Sequence, residues 1–271
     1  MRDLGRIGLT VDVDADGTYL KDAVEAEELG YSGLWVAGGQ LDTLAPLSEL
    51  LRATRSAVVG SAIIPFDRYG TDEIAEHFRD NELRAPGRFV AGFGGLQARP
   101  VSATRQVLGD LDGSVPVGRR LLAALGPRKL DLAGEAAAGA ITMLVPPEHT
   151  AQARRRLGPR ARLVVLQMVT FDPDRERARR TLREPMRFLV GTEGIGYAAH
   201  LRRMGFGDDE LAALSDRLVD SVAGAGDVEV IAEGVRAHLQ AGADHVVLGV
   251  QSDGDQPGPI ETARALAEVL L

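Results

Sequence analysis

The chain has 271 residues, of which 45% are apolar and 26% charged, and its formal net charge is −8. The acidic balance disfavours a nucleic-acid-binding surface, and the absence of cysteine excludes disulfides, thiol nucleophiles and cysteine-ligated metals. No apolar run approaches the length of a membrane span, and the amino terminus lacks the apolar segment of a signal peptide. We therefore expect a cytoplasmic protein that acts on a small molecule and has neither nucleic acid nor membrane as a partner.

Eight short apolar runs rich in Val, Ile and Leu alternate with longer segments of helical periodicity. The runs are nearly continuous in apolar residues, which is typical of parallel strands covered on the outside by helices. We predict the eight strands at Ile7–Val11, Gly33–Ala37, Val58–Ile64, Phe89–Phe93, Leu121–Leu125, Ala140–Val145, Leu163–Val169 and His245–Val250.

Helical patterns fill the connections between these runs. Gly30 ends the first helix, Pro86 follows the third, and Pro127 opens the fifth, where its missing N–H costs little. After the seventh strand the pattern changes, and the sequence predicts four helices before the eighth strand and one after it: Asp174–Arg183, Pro185–Met204, Asp208–Ala223, Asp227–Ala241 and Ile260–Leu270.

Eight strand–helix alternations without a break in composition predict an α/β fold, a single (β/α)₈ TIM barrel spanning residues 1–271. The one large insertion, about residues 172–226, lies between the seventh and eighth strands. Because it follows a strand, it belongs to the carboxyl-terminal rim, where such barrels keep their active sites. We expect it either to wall the site or to serve as an oligomerisation element.

Two glycine-containing turns after neighbouring strands are candidate anion sites. Gly94-Gly95 would let the backbone approach a ligand closely, because no Cβ intervenes. Gly126-Pro127 opens a helix whose free N–H groups and dipole favour a phosphate. Either pair could equally be an ordinary tight turn, but their occurrence after consecutive strands favours a shared ligand.

The other strand ends offer few acid–base groups. His149 could donate a proton, although the run around it also fits an ordinary helix start. Asp67–Tyr69 could cover a site or form a simple turn, and Trp35, the only tryptophan, could wall a flat ring or fill the core. The sequence has neither an HExxH metal motif nor a GxSxG nucleophile elbow, so we predict no metal site.

Six segments spread over most of the chain resemble the luciferase-like monooxygenase superfamily, and most closely its branch of coenzyme F420-dependent oxidoreductases. None of them defines a substrate. The segments are Ala26–Val36 (AEELGYSGLWV), Pro86–Gly94 (PGRFVAGFG), Leu121–Ala133 (LLAALGPRKLDLA), Leu144–Arg154 (LVPPEHTAQAR), Ser215–Asp220 (SDRLVD) and His238–Leu248 (HLQAGADHVVL).

The resemblance implies a luciferase-like barrel in which the ring of a deazaflavin lies across the mouth, and a homodimer. It also implies a non-prolyl cis peptide bond at Ala62–Ile63 behind the ring, and a phosphate-bearing cofactor side chain held after strands 4 and 5. Beside the resemblance, we predict substrate contacts at Trp35, Phe66 and Tyr197. The implied cofactor contacts are Thr10, Ala37, Gly38, Ala62, Ile63, Gly94, Gly95, Ala124, Leu125, Gly126 and Pro127.

The chain departs from the usual pattern of this branch at three strand ends. Ala37–Gly39 stands where relatives carry an acidic residue or histidine, and Gly95-Leu96 stands where they often carry Ser-His. Pro65–Asp67 replaces a frequent Asn-Ile-Trp. Several polar contacts to the cofactor that the family implies are therefore absent.

Three functions are compatible with these patterns. The first is an F420-dependent oxidoreductase that transfers a hydride between the deazaflavin and a C=C, C=N or carbonyl group of a small substrate. The second is a monooxygenase in which FMN replaces the deazaflavin. The third is a barrel that has lost its redox cofactor and acts as a binding protein or a cofactor-free pathway protein.

Overall fold

The computed structural model describes residues 3–14, 16–192, 194 and 196–271, and its centre is a closed barrel of eight parallel strands. Within these residues no helix is both long and apolar enough to cross a membrane. The strands are β1 Ile7–Thr10, β2 Gly33–Ala37, β3 Val58–Ala62, β4 Ile64–Pro65, β5 Phe89–Gly94, β6 Arg120–Ala123, β7 Gly139–Met143, β8 Arg162–Phe171, β9 Ala223–Gly226 and β10 His245–Val250.

Closure of the barrel depends on β10, which pairs in parallel with both β1 and β8. Val246 lies opposite Ile7 on one side and opposite Val165 on the other. The remaining order is β1, β2, β3, β5, β6, β7, β8, with β4 continuing β3 alongside β5. The predicted TIM barrel is thus confirmed, and all eight predicted runs supply a barrel strand.

Helices surround the barrel and pack their apolar faces against it, as the sequence periodicity predicts. They are α1 Thr18–Glu28, α2 Ala45–Ala53, α3 Thr71–Arg84, α4 Val101–Asp110, α5 Pro127–Ala136, α6 Pro147–Leu157, α7 Arg175–Gly191, α8 Tyr197–Arg203, α9 Asp208–Ala213, α10 Asp216–Val222, α11 Val228–Gln240 and α12 Pro259–Leu270.

The insertion contains a strand that the sequence analysis missed. Ala223–Gly226 is β9, which pairs with the last four residues of β8, whereas we predicted that Asp208–Ala223 is one helix. The four residues of β9 are Ala and Gly, which carry no strand signal of their own. Their pairing with β8 therefore decides the conformation.

A second correction concerns α7, which runs through Pro185 instead of ending before it. Proline removes one helical hydrogen bond, but Leu182 and Met186 on either side of it are fully buried and hold the helix against the core. Arg179 adds a two-pronged ion pair to Asp220 of α10, with N–O distances of 2.9 and 2.6 Å. Apolar packing therefore holds α7 against the core, and the ion pair joins two helices of the insertion to each other.

Trp35 lies inside the barrel, below its mouth. Its side chain is fully buried, and its indole N–H donates to Nε2 of His245 over 3.0 Å. Nδ1 of His245 in turn lies 3.0 Å from the carbonyl oxygen of Gly5, which fixes the proton on Nδ1. The prediction that Trp35 contacts substrate is therefore wrong, because this indole fills the core beneath the site.

All five histidines are at least half-buried, and burial is the first cause that lowers each of their pKa values. The pKa falls to about 3 for His200 and to about 4 for His77, His149, His238 and His245. The folded protein therefore keeps these side chains neutral at pH values where an unfolded chain would protonate them.

We predict that stability is constant above about pH 7 and falls as the pH drops from about 6.5 towards 4, because only the unfolded state takes up protons there. Carboxylates with lowered pKa values contribute to a different part of the pH range. Glu27, for example, loses its contribution to stability as the pH falls from its ordinary pKa of 4.5 to its folded pKa of about 2. Urea unfolding at pH 7.5 and pH 5 measures the loss. His238→Gln removes one titrating group and should flatten the slope, while a midpoint that does not change with pH would contradict the account.

Candidate active site

A cavity of about 430 Å³ opens at the carboxyl ends of β3, β6, β7 and β8. This volume lies within the range of small-molecule sites. Its lining comes from the strands near their carboxyl ends, the turn after β5 with the start of α4, the first turn of α5, and residues of the insertion at Gly194, Gly196 and α8. The lining residues are Ala62, Ile63, Gln97, Val101, Ala123, Ala124, Leu125, Gly126, Pro127, Arg128, Lys129, Ile141, Thr142, Met143, Leu166, Gly194, Gly196, Tyr197, Ala199 and Arg203.

The floor of the cavity is built around Ile63. The peptide bond Ala62–Ile63 is cis, as the family resemblance implies. Gly38 and Gly94 flank this bulge so closely that a Cβ on Gly38 would lie 2.5 Å from the Ile63 carbonyl oxygen. A Cβ on Gly94 would lie 2.5 Å from Cδ1 of Ile63. Gly38 therefore needs to be glycine because its Cβ would meet backbone, and a Cβ at Gly94 would displace the Ile63 side chain from its place at the mouth.

This packing changes the interpretation of three glycines that we predicted as cofactor contacts. Gly38 and Gly94 make room for Ile63 rather than lining the cavity. Gly95 has a positive φ of 94°, and a Cβ there would lie 2.5 Å from Oδ2 of Asp67. That oxygen accepts a hydrogen bond from the Leu96 N–H over 2.8 Å. These glycines shape the wall, and the ligand surface is formed by their neighbours.

Three cationic side chains lie around the first turn of α5, and we call this part of the cavity its cationic end. Arg128 and Lys129 lie in the first turn of α5, which Gly126 precedes without a capping side chain. Nη2 of Arg203 approaches this turn, lying 3.9 Å from the point where a Cβ on Gly126 would be. No carboxylate of the described residues lies within 4.0 Å of these three cations. The helix dipole and the side chains together favour an anion here.

Lys129 reaches from α5 towards the turn after β5. Its Nζ donates to the Gly95 carbonyl oxygen over 3.2 Å. Burial lowers the pKa of Lys129, and the charge of Asp67 opposes that shift. Lys129 therefore connects the two glycine turns that we singled out, and it adds positive charge at the cationic end.

The insertion covers the cavity through α8. Tyr197, Ala199 and Arg203 of this helix face the cavity, while His200 packs against His149 of α6. The two rings meet edge to face with centroids 4.4 Å apart, and both side chains are buried. Of the two roles we considered for the insertion, the structure places it as a wall of the cavity. His149 itself lies behind α8 and does not line this cavity.

Six of the eleven predicted cofactor contacts line the cavity: Ala62, Ile63, Ala124, Leu125, Gly126 and Pro127. Thr10 and Ala37 end β1 and β2, outside this lining. Of the predicted substrate contacts only Tyr197 lines the cavity. Phe66 instead stacks on Phe93 with ring centroids 5.0 Å apart, so its ring belongs to the packing beneath the rim.

Thirteen lining residues were not among the predicted site residues. Several of them lie within strands, where their apolar character predicts burial in the core. Arg203 lies on α8, and no sequence pattern predicts which face of this helix points to the cavity. The basic pair after Gly126-Pro127 was the available signal, since a cation in the first turn of a helix is otherwise unfavourable. The thirteen are Gln97, Val101, Ala123, Arg128, Lys129, Ile141, Thr142, Met143, Leu166, Gly194, Gly196, Ala199 and Arg203.

Across the described part of the chain, no group of three or more His, Asp or Glu side chains is placed to hold a metal ion. The floor of the cavity likewise carries only apolar side chains from Ala62, Ile63 and Leu166. The site therefore offers shape and positive charge rather than a metal or a nucleophile.

No protein-family model matches the chain, and no curated protein matches it in sequence. Solved structures do share its fold. An F420-dependent secondary alcohol dehydrogenase, in complex with an F420–acetone adduct, superposes with a TM-score of 0.70 at 17% identity, over 98% of both chains. The coenzyme F420-dependent tetrahydromethanopterin reductase from Methanopyrus kandleri gives a TM-score of 0.73 at 16% identity, also over 98% of both chains.

A flavin enzyme also shares the fold. The oxygenating constituent of 3,6-diketocamphane monooxygenase from the CAM plasmid of Pseudomonas putida, a type II Baeyer–Villiger monooxygenase in complex with FMN, has a TM-score of 0.66 at 13% identity, over 99% of both chains. The chain therefore has the barrel fold of the F420-dependent and luciferase-like monooxygenase structures. At these identities the likeness concerns the fold.

The two neighbouring glycines after β2 provide a matched test of the cavity floor. Gly38→Ala should destabilise the protein by about 1–3 kcal/mol, because the new Cβ meets backbone that cannot move aside easily. Gly39→Ala should change stability by less than about 0.5 kcal/mol, since no atom lies within 4 Å of its Cβ position. Urea unfolding of both variants measures the difference, and equal effects would contradict the proposed packing around Ile63.

Proposed function

We propose that the protein is an oxidoreductase that holds coenzyme F420, a deazaflavin, across the barrel mouth and transfers a hydride between it and a small organic substrate. The observation that supports this most is how apolar and cationic side chains are distributed in the cavity. Apolar side chains around Ile63 form the floor, and Arg128, Lys129 and Arg203 supply positive charge that no carboxylate of the described residues neutralises. A deazaflavin matches this distribution of charge, because its flat ring would lie on the apolar floor and the phosphate of its side chain would meet the cations.

The cationic end fits the phosphate of such a cofactor. Gly126 leaves the first turn of α5 open, so that a ligand can approach the backbone N–H groups without meeting a side chain. Arg203 and Arg128 would complete the site with charge-assisted hydrogen bonds. This is the position at which the resemblance implies the phosphate, and the charge arrangement supports it independently.

The floor fits the ring. Ile63 and Ala62 form a shallow apolar surface, and Ile141, Met143 and Leu166 continue it across the ends of β7 and β8. When bound, a deazaflavin supplies the hydride chemistry, and the protein contributes orientation and exclusion of water. The absence of protein acid–base groups on this floor agrees with such a division of roles.

FMN is the second candidate cofactor, and the fold shared with an FMN-bound monooxygenase favours it. FMN also carries a phosphate, so the cationic end suits either molecule. The third function, a barrel without a redox cofactor, receives less support. Side chains leave about 430 Å³ open above Ile63 instead of filling it.

Titration of the purified protein with F420 and with FMN tests the proposal, with quenching of cofactor fluorescence as the readout. We expect F420 to bind with a dissociation constant in the micromolar range and more tightly than FMN. Tighter binding of FMN would favour the monooxygenase. Failure of both to bind would favour the barrel without a redox cofactor.

Neutralising the cationic end should weaken cofactor binding. We predict that Arg203→Gln and Lys129→Gln each raise the dissociation constant by about tenfold, the equivalent of one charge-assisted hydrogen bond. Arg202→Gln is the matched control, because Arg202 lies beside Arg203 in α8 but pairs with Asp208 over 2.7 Å outside the cavity. Equal affinities for the Arg202 and Arg203 variants would contradict the assigned phosphate end.

A further inference from the structure

Tyr197 is the first residue of α8 and lines the cavity. It packs against the apolar cluster that also includes Ile63 and Met143, the residues of the floor. Tyr197 and the apolar floor residues Ile63 and Met143 therefore line one cavity, in which the proposed ring and substrate would meet.

The hydroxyl of Tyr197 differs from the hydroxyls of the three other tyrosines. Tyr31 donates to the Ala263 carbonyl oxygen over 2.9 Å, Tyr69 donates to the Leu41 carbonyl oxygen over 2.7 Å, and Tyr19 donates to Glu49. Among the residues the structure describes, none forms a hydrogen bond with Tyr197. Tyr197 is only partly buried, and its hydroxyl is not among the fully buried polar atoms that lack a partner, so this hydroxyl is accessible to a ligand in the cavity.

The other groups in the cavity that could give up a proton are already engaged. The hydroxyl of Thr142 donates to the Val164 carbonyl oxygen at 3.5 Å, and Lys129 donates to Gly95. Arg203 lies 3.4 Å from Nδ1 of His200, and a guanidinium does not release its proton in the physiological range. Within the described lining, Tyr197 is thus the one acidic O–H without a protein acceptor.

Burial raises the pKa of Tyr197 well above its usual value. The phenol therefore remains protonated at neutral pH, and it can serve as a hydrogen-bond donor and an acid but not as a resting base.

We propose that Tyr197 donates a hydrogen bond, and then its proton, to the carbonyl oxygen of a small and mainly apolar ketone or enone bound above Ile63. This inference rests on the proposed function, since the reductant is a reduced deazaflavin or flavin. For a ketone, the carbonyl carbon gains a hydride from that reductant, and the π electron pair moves to oxygen. The phenolic O–H bond breaks as oxygen takes the proton, and water then reprotonates the phenolate.

The substrate class follows from the lining. The floor and the walls near Tyr197 are apolar, through Ile63, Met143 and Leu166, so a substrate with several polar groups would lose hydration without compensation. One hydroxyl donor matches one acceptor. The cations lie at the other end of the cavity, which we assign to the phosphate and not to the substrate.

The test compares the wild type with Tyr197→Phe and Tyr69→Phe, using cyclohex-2-enone labelled with ¹³C at the carbonyl. Phenylalanine keeps the packing, and Tyr69 serves as control because its hydroxyl is bonded to Leu41 in the core. Difference infrared spectra of the bound enone report the hydrogen bond directly, with or without oxidised F420. F420 affinity is measured in parallel for all three proteins.

We expect the carbonyl stretch to move to lower frequency in the wild type and in Tyr69→Phe, and to lose this shift in Tyr197→Phe. The enone should bind about tenfold more weakly to Tyr197→Phe, while F420 affinity stays within about twofold. An equal shift in Tyr197→Phe, no shift in the wild type, or no enone binding to the wild type would overturn the role of Tyr197. Loss of F420 binding in all three proteins would instead refute the proposed cofactor and leave the carbonyl result interpretable.

Discussion

The close approach of three backbone segments at Ile63 is the constraint on which the cavity depends. The ends of β2 and β5 contribute Gly38 and Gly94, and each leaves a space that a methyl group would fill. The Ile63 side chain can therefore lie at the barrel mouth, where it forms the floor of the cavity. Closure of the barrel through β10 then brings the ends of β6, β7 and β8 around this floor, and the turn before α5 completes the cavity.

The fold could be predicted because parallel strands buried on both faces leave an unambiguous signal. A continuous apolar run such as Leu163–Val169 predicts a buried strand without information from the rest of the chain. β9 gave no such signal, because its Ala and Gly residues adopt the strand only through pairing with β8. The course of α7 through Pro185 was also missed, since burial of Leu182 and Met186 compensates for the lost hydrogen bond.

The site could be predicted only in part, for a similar reason. Gly126 and Pro127 were found because a turn that opens a helix has a local physical meaning. Trp35 was misplaced because the alternation of a barrel strand does not reveal how high in the barrel a residue lies. Arg203 was missed because its position depends on how α8 folds back over the rim, which is a tertiary property.

In the proposed arrangement, recognition of charge is separate from chemistry. Cations from α5 and α8 line the cavity together with the apolar side chains around Ile63 and with Tyr197. The insertion supplies both Tyr197 and Arg203, which lie on one short helix. Its attachment to the barrel through α7 and α10 therefore fixes two contacts together.

A crystal structure of the protein soaked with coenzyme F420 tests this arrangement most directly. The account predicts that the phosphate lies at the first turn of α5, in hydrogen-bond contact with the Arg128 backbone N–H and the Arg203 guanidinium, and that the ring lies against Ile63. A phosphate bound at another helix, or a ring held away from Ile63, would contradict it.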